Sequence, residues 1–123
     1  MHKEPPMPDP RPQVDTHEGP AVLGAACRSC GHPMATQRPV CAACGGEVVP
    51  AKFGPSGTVY ASTVVRIAVG NRTPPYALAY VDLDDGPRIL AHVAGNGASA
   101  PPVASRVRLV APADGDVVVE VMS

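Results

Sequence analysis

Two CxxCG motifs constrain this chain more than any other feature of its 123 residues. They read Cys27-Arg28-Ser29-Cys30-Gly31 and Cys41-Ala42-Ala43-Cys44-Gly45. The two-residue spacing lets both sulfurs of a motif converge on one ion, and the following glycine can take the left-handed turn that directs backbone N–H groups at the thiolates. We therefore predict that Cys27, Cys30, Cys41 and Cys44 bind one zinc ion in a closed tetrahedral site.

A structural role is expected for this ion because four thiolates fill the coordination shell, whereas a catalytic zinc keeps a position open for water. Metal binding also supplies folding free energy to a segment too short to build a large core. Disulfides are not expected, since the chain starts without the apolar region of a signal peptide. A redox dithiol would need only one CxxC pair, and His32 is expected to face solvent.

The sequence divides into three segments. Residues 1–24 hold six of the 16 prolines and a net charge of −2, without any periodicity, so we expect a disordered, Pro-rich arm. This arm is either a solvated tail or a docking arm for a partner. Residues 25–55 contain the cysteines and are expected to form a zinc ribbon. Residues 56–123 alternate between apolar and polar residues and are expected to form a barrel domain.

The fold class predicted is mostly β, because hydrophobic residues make up 45% of the chain, aromatic residues only 3%, and Val and Ala supply most of the apolar mass. Five strands are expected, at residues 58–69, 76–83, 88–94, 106–110 and 117–122. In the first, Val59, Ala61, Thr63 and Val65 should share one face. Tight turns are expected at 84–86, where Gly86 can take a positive φ, and at 113–116.

Five short strands, with the first long enough to bend across two sheets, favour a Greek-key barrel of the OB type, and a generic β-sandwich is the alternative. The interval between the third and fourth strands is rich in Gly and Pro, so a loop or one short turn is expected there in place of a helix. The predicted architecture is therefore an N-terminal four-cysteine zinc ribbon followed by a five-stranded OB-type barrel.

The charge of the chain does not favour a polynucleotide partner. The net charge is −1, and the barrel segment carries five arginines against six acidic residues. Single-stranded nucleic-acid binding by the ribbon and barrel nevertheless stays the alternative function, because such modules use exposed aromatic side chains. No stretch approaches the about 18 apolar residues of a membrane span, and a cytoplasmic location is expected.

No catalytic constellation is evident in the sequence. Motifs of serine hydrolases, P-loop enzymes and dinucleotide-binding enzymes are absent, and the cysteines are assigned to zinc. His92 and the acidic residues Asp82, Asp84 and Asp85 could suggest a hard-metal or acid–base site. A hairpin turn and an ordinary strand histidine explain them better. We therefore expect a protein that is not an enzyme.

Several short motifs in the barrel segment resemble those of a known family. The run Gly57-Thr58-Val59-Tyr60, the pair Pro75-Tyr76 and the hairpin Val81-Asp82-Leu83-Asp84-Asp85-Gly86 follow the ribbon in this order. This arrangement resembles the zinc-ribbon plus OB-fold accessory proteins associated with thiolase-like enzymes. It departs from them at Ala61, where the family has Ser or Thr, and at Ser105, where a Gly is frequent. The Pro-rich arm stands where a helical segment with aromatic residues is common. Phe53 is the nearest equivalent of an aromatic residue that often follows the second knuckle.

The resemblance implies a non-catalytic accessory or scaffold subunit that docks on a thiolase-fold condensing enzyme or aldolase of acyl-CoA metabolism, and that contacts or channels acyl-CoA. Tyr60, Tyr76, Tyr80 and Arg88 are the expected contact residues for the partner or acyl-CoA. The pattern leaves open whether Tyr76, Leu78, Tyr80 and Leu90 form an exposed interface patch or fill the barrel, because both faces of the second predicted strand are largely apolar.

Overall fold

A computed structural model describes residues 11–68, 72–95 and 99–122. Within these residues the secondary structure is all strand: β1 (Gln13–Asp15), β2 (Ala21–Cys27), β3 (Pro33–Met34), β4 (Val48–Phe53), β5 (Ser56–Val65), β6 (Tyr76–Leu83), β7 (Arg88–Val93), β8 (Arg106–Leu109) and β9 (Val118–Val121). Inside the same ranges, no helix is long and apolar enough to cross a membrane.

The first four strands form a small antiparallel sheet around β2. Strands β1 and β3 pair with successive parts of one side of β2, and β4 pairs with the other side. The β2–β4 ladder runs from the pair Val22 and Phe53 to the pair Cys27 and Val48. Cys27 thus stands at the end of the sheet opposite to Phe53, and this separates the cysteine motifs from the residues that meet the barrel.

The expectation of a disordered arm over residues 1–24 is wrong for the part that the structure describes. Residues 13–15 are β1, and β2 begins at residue 21, so both strands belong to the sheet that carries the cysteines. The apolar residues of β2 are buried only because β4, more than twenty residues later, pairs with them. Because the partner strand lies far along the chain, the local sequence of this short strand, which is preceded by prolines, shows no periodic pattern that would have predicted it. Residues 1–10 lie outside the described ranges.

Strands β5 to β9 close into a barrel in the order β5-β6-β7-β9-β8, with β5 also paired to β8. All neighbours are antiparallel except β7 and β9, which are parallel. This is the strand order of an OB-type Greek-key barrel, as predicted. The second strand matches the prediction at both ends, and the others begin or end one to four residues away from it. Val69, in the predicted first strand, lies outside the described residues.

A β-bulge in β5 reverses the predicted facing of its second half. Val59 lies opposite Val81 and Ala61 lies opposite Tyr80, so Tyr60 is an extra residue without a direct partner. A bulge places two residues against one and therefore exchanges inward and outward positions beyond it. Val59 is buried in the core, whereas Ala61 and Thr63 lie on the same outer face as Tyr80. The prediction that these residues share one face with Val59 is wrong for this reason.

The two predicted tight turns differ in how they use glycine. In the turn at residues 113–116, Asp114 and Gly115 both have positive φ, of 52° and 79°, as a primed hairpin turn requires. Gly86 does not have the positive φ that was expected of it. It is needed for another reason, because a Cβ atom at residue 86 would collide with the ring of Phe53. Between β7 and β8 the described residues contain no helix, and residues 96–98 lie outside the described ranges.

The small sheet and the barrel share one hydrophobic core. Val22 and Phe53 from the sheet belong to the same buried cluster as Val59, Val81 and Val119 from the barrel. The backbone N–H of Gly54 donates a hydrogen bond of 2.9 Å to Oδ1 of Asp85, in the β6–β7 turn. The contact between Phe53 and this turn therefore joins the cysteine-bearing sheet to the barrel.

A second junction is built around the carboxylate of Asp116. Arg11 Nη1 lies 3.1 Å from Asp116 Oδ1, Arg72 Nη2 lies 3.0 Å from Oδ2, and His92 Nε2 lies 3.4 Å from Oδ2. Arg11 Nη1 also donates to the carbonyl of Asp114 at 2.8 Å. One carboxylate thus holds the start of the described chain, the segment before β6 and strand β7 against the β8–β9 turn.

Replacing Gly86 with alanine tests the first junction. We expect Gly86→Ala to lower the free energy of unfolding by about 1–3 kcal/mol, the usual cost of overpacking a core. The smaller side chain of Phe53→Leu should leave room for the new methyl group, so the double variant should be more stable than the sum of the two single changes predicts. Urea unfolding of the four proteins measures this, and strict additivity would contradict a direct contact.

The pH dependence of stability tests the second junction. Burial first, and then the positive charge of Arg72, lower the pKa of His92 against the opposing effect of Asp116. The folded chain therefore binds fewer protons than the unfolded chain, so this contribution to stability is present above about pH 6.5 and is lost as the pH falls below it. Replacing His92 with glutamine should flatten the fall in melting temperature between pH 7 and pH 5. The same change at exposed His17 should not, and equal effects would contradict the assignment.

Candidate metal centre and docking face

Each cysteine motif folds as a tight turn that brings its two sulfurs to one side. The N–H of Gly31 donates to the carbonyl of Cys27 at 3.1 Å, and the N–H of Gly45 donates to the carbonyl of Cys41 at 2.9 Å. Both glycines have positive φ, 74° and 75°. These are the left-handed turns that the sequence predicts, and an L side chain at either position would strain the backbone.

The four sulfurs converge on a single point. Cys27 Sγ lies 3.5 Å from Cys44 Sγ, Cys30 Sγ lies 3.7 Å from Cys41 Sγ, and all four lie within 4.8 Å of one another. A tetrahedral ion with metal–sulfur bonds of about 2.3 Å requires sulfur–sulfur separations of about 3.8 Å. The separations therefore fit a metal ion of that size with four thiolate ligands.

Backbone N–H groups point at the sulfurs of the cluster. Cys27 Sγ accepts from the N–H groups of Ser29 at 3.3 Å and Cys30 at 3.4 Å, and Cys41 Sγ accepts from Ala43 at 3.3 Å. Hydrogen bonding, first from Cys30, lowers the pKa of Cys27 to about 6. At Cys44 the N–H of Gly46 acts in the same direction, but the neighbouring sulfurs outweigh it and raise the pKa to about 12. Thiols this close cannot all ionise unless a cation balances their charge.

The centre lies at the exposed tip of the small sheet. Cys27 and Cys41 are buried, whereas Cys30 and Cys44 are exposed, and His32 faces solvent as predicted. A Cβ atom at Gly46 would lie 3.3 Å from the sulfurs of both Cys27 and Cys44, so the chain passes close over the cluster there. Among the described residues, this is the one group of potential ligands close enough to hold a metal ion.

The outward side chains of β5, β6 and β7 form an exposed apolar surface, which we call the outer face. Its members surround a shallow depression of about 320 Å³: Ala61, Thr63, Leu78, Tyr80 and Leu90. Ala61 lies directly opposite Tyr80, and Tyr80 lies directly opposite Leu90, so these three form a row across the strands. Tyr80 is 49% exposed and Leu90 47% exposed. These side chains therefore lie outside the barrel and do not fill its interior.

The predicted contact residues divide between the outer face and its margin. Tyr80 lies within the face, and Tyr60 lies beside it with the guanidinium carbon of Arg88 3.4 Å from its ring centroid. Arg88 is also held by Asp82, with Nε donating at 2.6 Å. Tyr76 is half-buried, and its ring centroid lies 5.5 Å from that of His92.

Leu78 and Leu90 line the depression, although the sequence left open whether they form an exposed patch or fill the barrel and did not name them with the four predicted contact residues. On β7, Leu90 lies between the buried residues Ile89 and Ala91. The alternation of this strand would therefore have placed Leu90 on the outside of the barrel. For Leu78 no such signal exists, because its neighbours on both faces of β6 are apolar.

The barrel's positive charges are largely neutralised by nearby carboxylates. Arg88 is paired with Asp82, Arg106 with Asp84, Arg108 with Glu120 and Arg72 with Asp116. Each pair lies on the barrel surface, where ion pairs contribute little to stability but do cancel the local field. These arginines therefore do not supply the basic groove that nucleic-acid binding uses.

Comparison with known structures supports the fold. The chain is similar to a structure named "Ltp2-ChsH2(DUF35) aldolase", with a TM-score of 0.64 and 21% sequence identity. The match covers 82% of this chain and 84% of the other. That share of this chain is larger than the barrel alone occupies, so the likeness extends into the sheet that carries the cysteines.

A family model matches the barrel segment. Residues 51–116, more than half of the chain, match the model described as "ChsH2, C-terminal OB-fold domain". The matched range starts within β4 and ends in the β8–β9 turn, so it includes the junction at Phe53 and the strands of the outer face. The chain belongs to the ChsH2 C-terminal OB-fold family.

Proposed function

We propose that this chain is a non-catalytic accessory subunit that docks on a thiolase-fold condensing enzyme or aldolase of acyl-CoA metabolism. Membership of the ChsH2 OB-fold family supports this, as does the likeness to a structure whose name joins ChsH2 to Ltp2 in an aldolase. The subunit acts by geometry: a rigid barrel presents one surface to the enzyme, and the metal-bearing sheet is fixed to that barrel by the shared core.

The outer face is the observation that carries this proposal. Its row of Ala61, Tyr80 and Leu90 crosses three strands whose other sides already fill the barrel core. Contiguous exposed apolar surface of this kind marks protein interaction sites, and tyrosine is enriched at the centres of interfaces. The face is rigid because each of its residues belongs to a paired strand, so little ordering entropy is lost on docking.

The metal at the four-cysteine centre is, in this proposal, one structural zinc ion. Four thiolates saturate a tetrahedral ion, so its chemistry is to fix the two turns and not to activate water. Cys27 ends β2 directly opposite Val48 at the start of β4. Tying the two motifs together therefore holds the two strands whose far ends, Val22 and Phe53, reach into the barrel core.

The absence of catalysis is proposed because the ionisable groups that the described residues bring together already bind one another. His92 is engaged by Asp116, which also accepts hydrogen bonds from Arg11 and Arg72. Arg88 is occupied by Asp82 and by the ring of Tyr60. A general base must be able to reach a proton of the substrate, whereas these contacts direct the side chains towards one another.

Contact with acyl-CoA is proposed for the aromatic side chains of the outer face. The rings of Tyr60 and Tyr80 are about half exposed and offer apolar surface for stacking. Arg88 acts here by holding the ring of Tyr60, since its guanidinium already binds a carboxylate. Tyr76 lies at the margin beside His92, where it contributes to the same surface.

Loss of one thiolate tests the metal centre. We expect purified wild-type chain to contain about one zinc ion, and Cys44→Ser to contain much less and to melt at a lower temperature, because metal binding contributes folding free energy. Ala42→Ser adds a hydroxyl group within the same turn at an exposed position and is the matched control. Elemental analysis with thermal unfolding measures both, and full stability in zinc-free Cys44→Ser would contradict a structural ion.

Capture of an enzyme from native lysate tests docking. We expect the tagged wild-type chain to enrich a thiolase-fold enzyme, identified by mass spectrometry, and Leu90→Lys to reduce its recovery at least tenfold because the lysine would be desolvated in the interface. The control is Val121→Lys, since Val121 is 48% exposed on β9 and does not line the depression of the outer face. Equal recovery of the enzyme by both variants would contradict the assignment of the docking face.

Two further measurements separate this proposal from its competitors. The purified chain should release no CoA from acyl-CoA thioesters, and turnover by the chain alone would contradict a non-catalytic role. Salt-dependent micromolar binding of single-stranded DNA or RNA that is lost in Tyr80→Ala would support the nucleic-acid alternative instead.

A further inference from the structure

We propose that Cys27 and Cys44 form a modification site, at which a small hydroperoxide oxidises their two thiolates to a disulfide and the metal ion is released. This modification rests on the zinc ion proposed above and is independent of docking on an enzyme. Two features of the described residues support it: the unequal exposure of the two cysteines, and a gap in the chain beside both sulfurs.

Cys27 and Cys44 lie close together but differ in their access to solvent. Their sulfurs are 3.5 Å apart, yet Cys44 is exposed whereas Cys27 is only 4% exposed. Cys27 Sγ accepts hydrogen bonds from the N–H groups of Ser29 and Cys30, and Cys44 Sγ accepts one from Gly46. Hydrogen bonds to a thiolate reduce its nucleophilicity. Exposure and hydrogen bonding therefore both favour Cys44 as the sulfur that reacts first.

Gly46 leaves a gap beside these two sulfurs. A Cβ atom at residue 46 would lie 3.3 Å from the sulfurs of both Cys27 and Cys44, and 3.4 Å from Oγ of Ser29. Gly46 is half-buried and Ser29 is exposed, so the gap opens towards solvent. The space that a methyl group would fill is thus in contact with both sulfurs and with one hydroxyl group. These dimensions favour a small polar oxidant of the size of hydrogen peroxide over a bulky one.

The oxidation takes two steps, both on sulfur. Cysteines that bind a metal are already thiolates. In the first step the Cys44 thiolate attacks one oxygen of the hydroperoxide, the O–O bond breaks, Cys44 becomes a sulfenic acid, and a hydroxide or alkoxide ion leaves. In the second step the Cys27 thiolate attacks the sulfenic sulfur, an S–S bond forms and a hydroxide ion leaves. Both leaving ions take a proton from water, and the electrons that the thiolates lose reduce the peroxide.

The new disulfide joins the two cysteine motifs in place of the ion. Cys27 ends β2 and Cys44 belongs to the second motif, so the bond connects the segments that the four-cysteine centre connects. Cys30 and Cys41, whose sulfurs lie 3.7 Å apart, remain as ligands, but two thiolates do not saturate a tetrahedral ion. We therefore expect zinc to be released while the barrel, which meets the far ends of β2 and β4, stays folded.

The experiment exposes the full-length, zinc-loaded chain to hydrogen peroxide and follows zinc release with a chromogenic chelator. Trypsin cleaves after Arg28 and so separates Cys27 from the other three cysteines, and mass spectrometry of the alkylated peptides then identifies the linked pair. We expect zinc release to parallel the appearance of a Cys27–Cys44 disulfide, and a sulfenic-acid reagent added early to label Cys44. A disulfide within one motif, or an early label on Cys27, would overturn the proposal.

The variant Gly46→Ala tests the gap. Gly46 does not have a positive φ, so alanine adopts its backbone conformation without strain, and the N–H that faces Cys44 is kept. We expect both zinc release and disulfide formation to slow severalfold relative to the wild type and to the control Ala42→Ser. Zinc content and melting temperature are measured before oxidation, and if Gly46→Ala fails to fold, the wild-type peptide map still decides. Equal rates in the two variants would contradict the gap as the route of the oxidant.

The zinc content of the untreated wild type separates this modification from the proposed ion. A zinc-free chain that still forms the Cys27–Cys44 disulfide would contradict the ion and leave the modification site standing. A chain that contains zinc, keeps it in peroxide and forms no disulfide would leave the ion standing and overturn the modification site.

Discussion

The small interior of a closed five-stranded barrel is the constraint on which the rest of this structure depends. The largest fully buried side chains are valines: Val22, Val59, Val81, Val107 and Val119. On β6 the inward positions 77 and 79 are alanines, so the barrel encloses little space. Leu83 on β6 and Ile89 on β7 also enter this interior, whereas Tyr80 and Leu90, which alternate with the inward residues of the same strands, lie outside. The apolar outer face therefore consists of the residues that strand alternation directs away from an interior that is already filled.

The bulge at Tyr60 contributes to the same result. Without an extra residue there, Ala61 and Thr63 would face inward, and the polar side chain of Thr63 would enter a core of valine and alanine. The bulge instead aligns Ala61 with Tyr80, so a small residue stands beside a large one and a depression forms between the strands. One inserted residue thus both protects the core and shapes the surface that we propose as the docking face.

The candidate metal centre and the barrel are linked through the two long strands of the small sheet. At one end, β2 and β4 carry the cysteine turns, and at the other end Val22 and Phe53 enter the common core. Gly86 leaves the space that Phe53 occupies, and Asp85 accepts a hydrogen bond from Gly54 beside it. Paired strands therefore connect the cysteine turns to the junction with the barrel, as the proposed role of a subunit that acts by its shape requires.

The sequence by itself determined which four cysteines come together, the left-handed turns at Gly31 and Gly45 and the strand content of the barrel segment, because all of these follow from local spacing and alternation. It favoured an OB-type barrel but left a β-sandwich open. It did not determine that residues 13–15 and 21–27 are strands, since their partners lie far along the chain. Nor did it determine the facing of β5, where one unpaired residue shifts the alternation, or the orientation of β6, which is apolar on both sides. Only the tertiary structure decided these, because whether an apolar residue lies in the core or on a surface depends on which strands surround it and how much space they enclose.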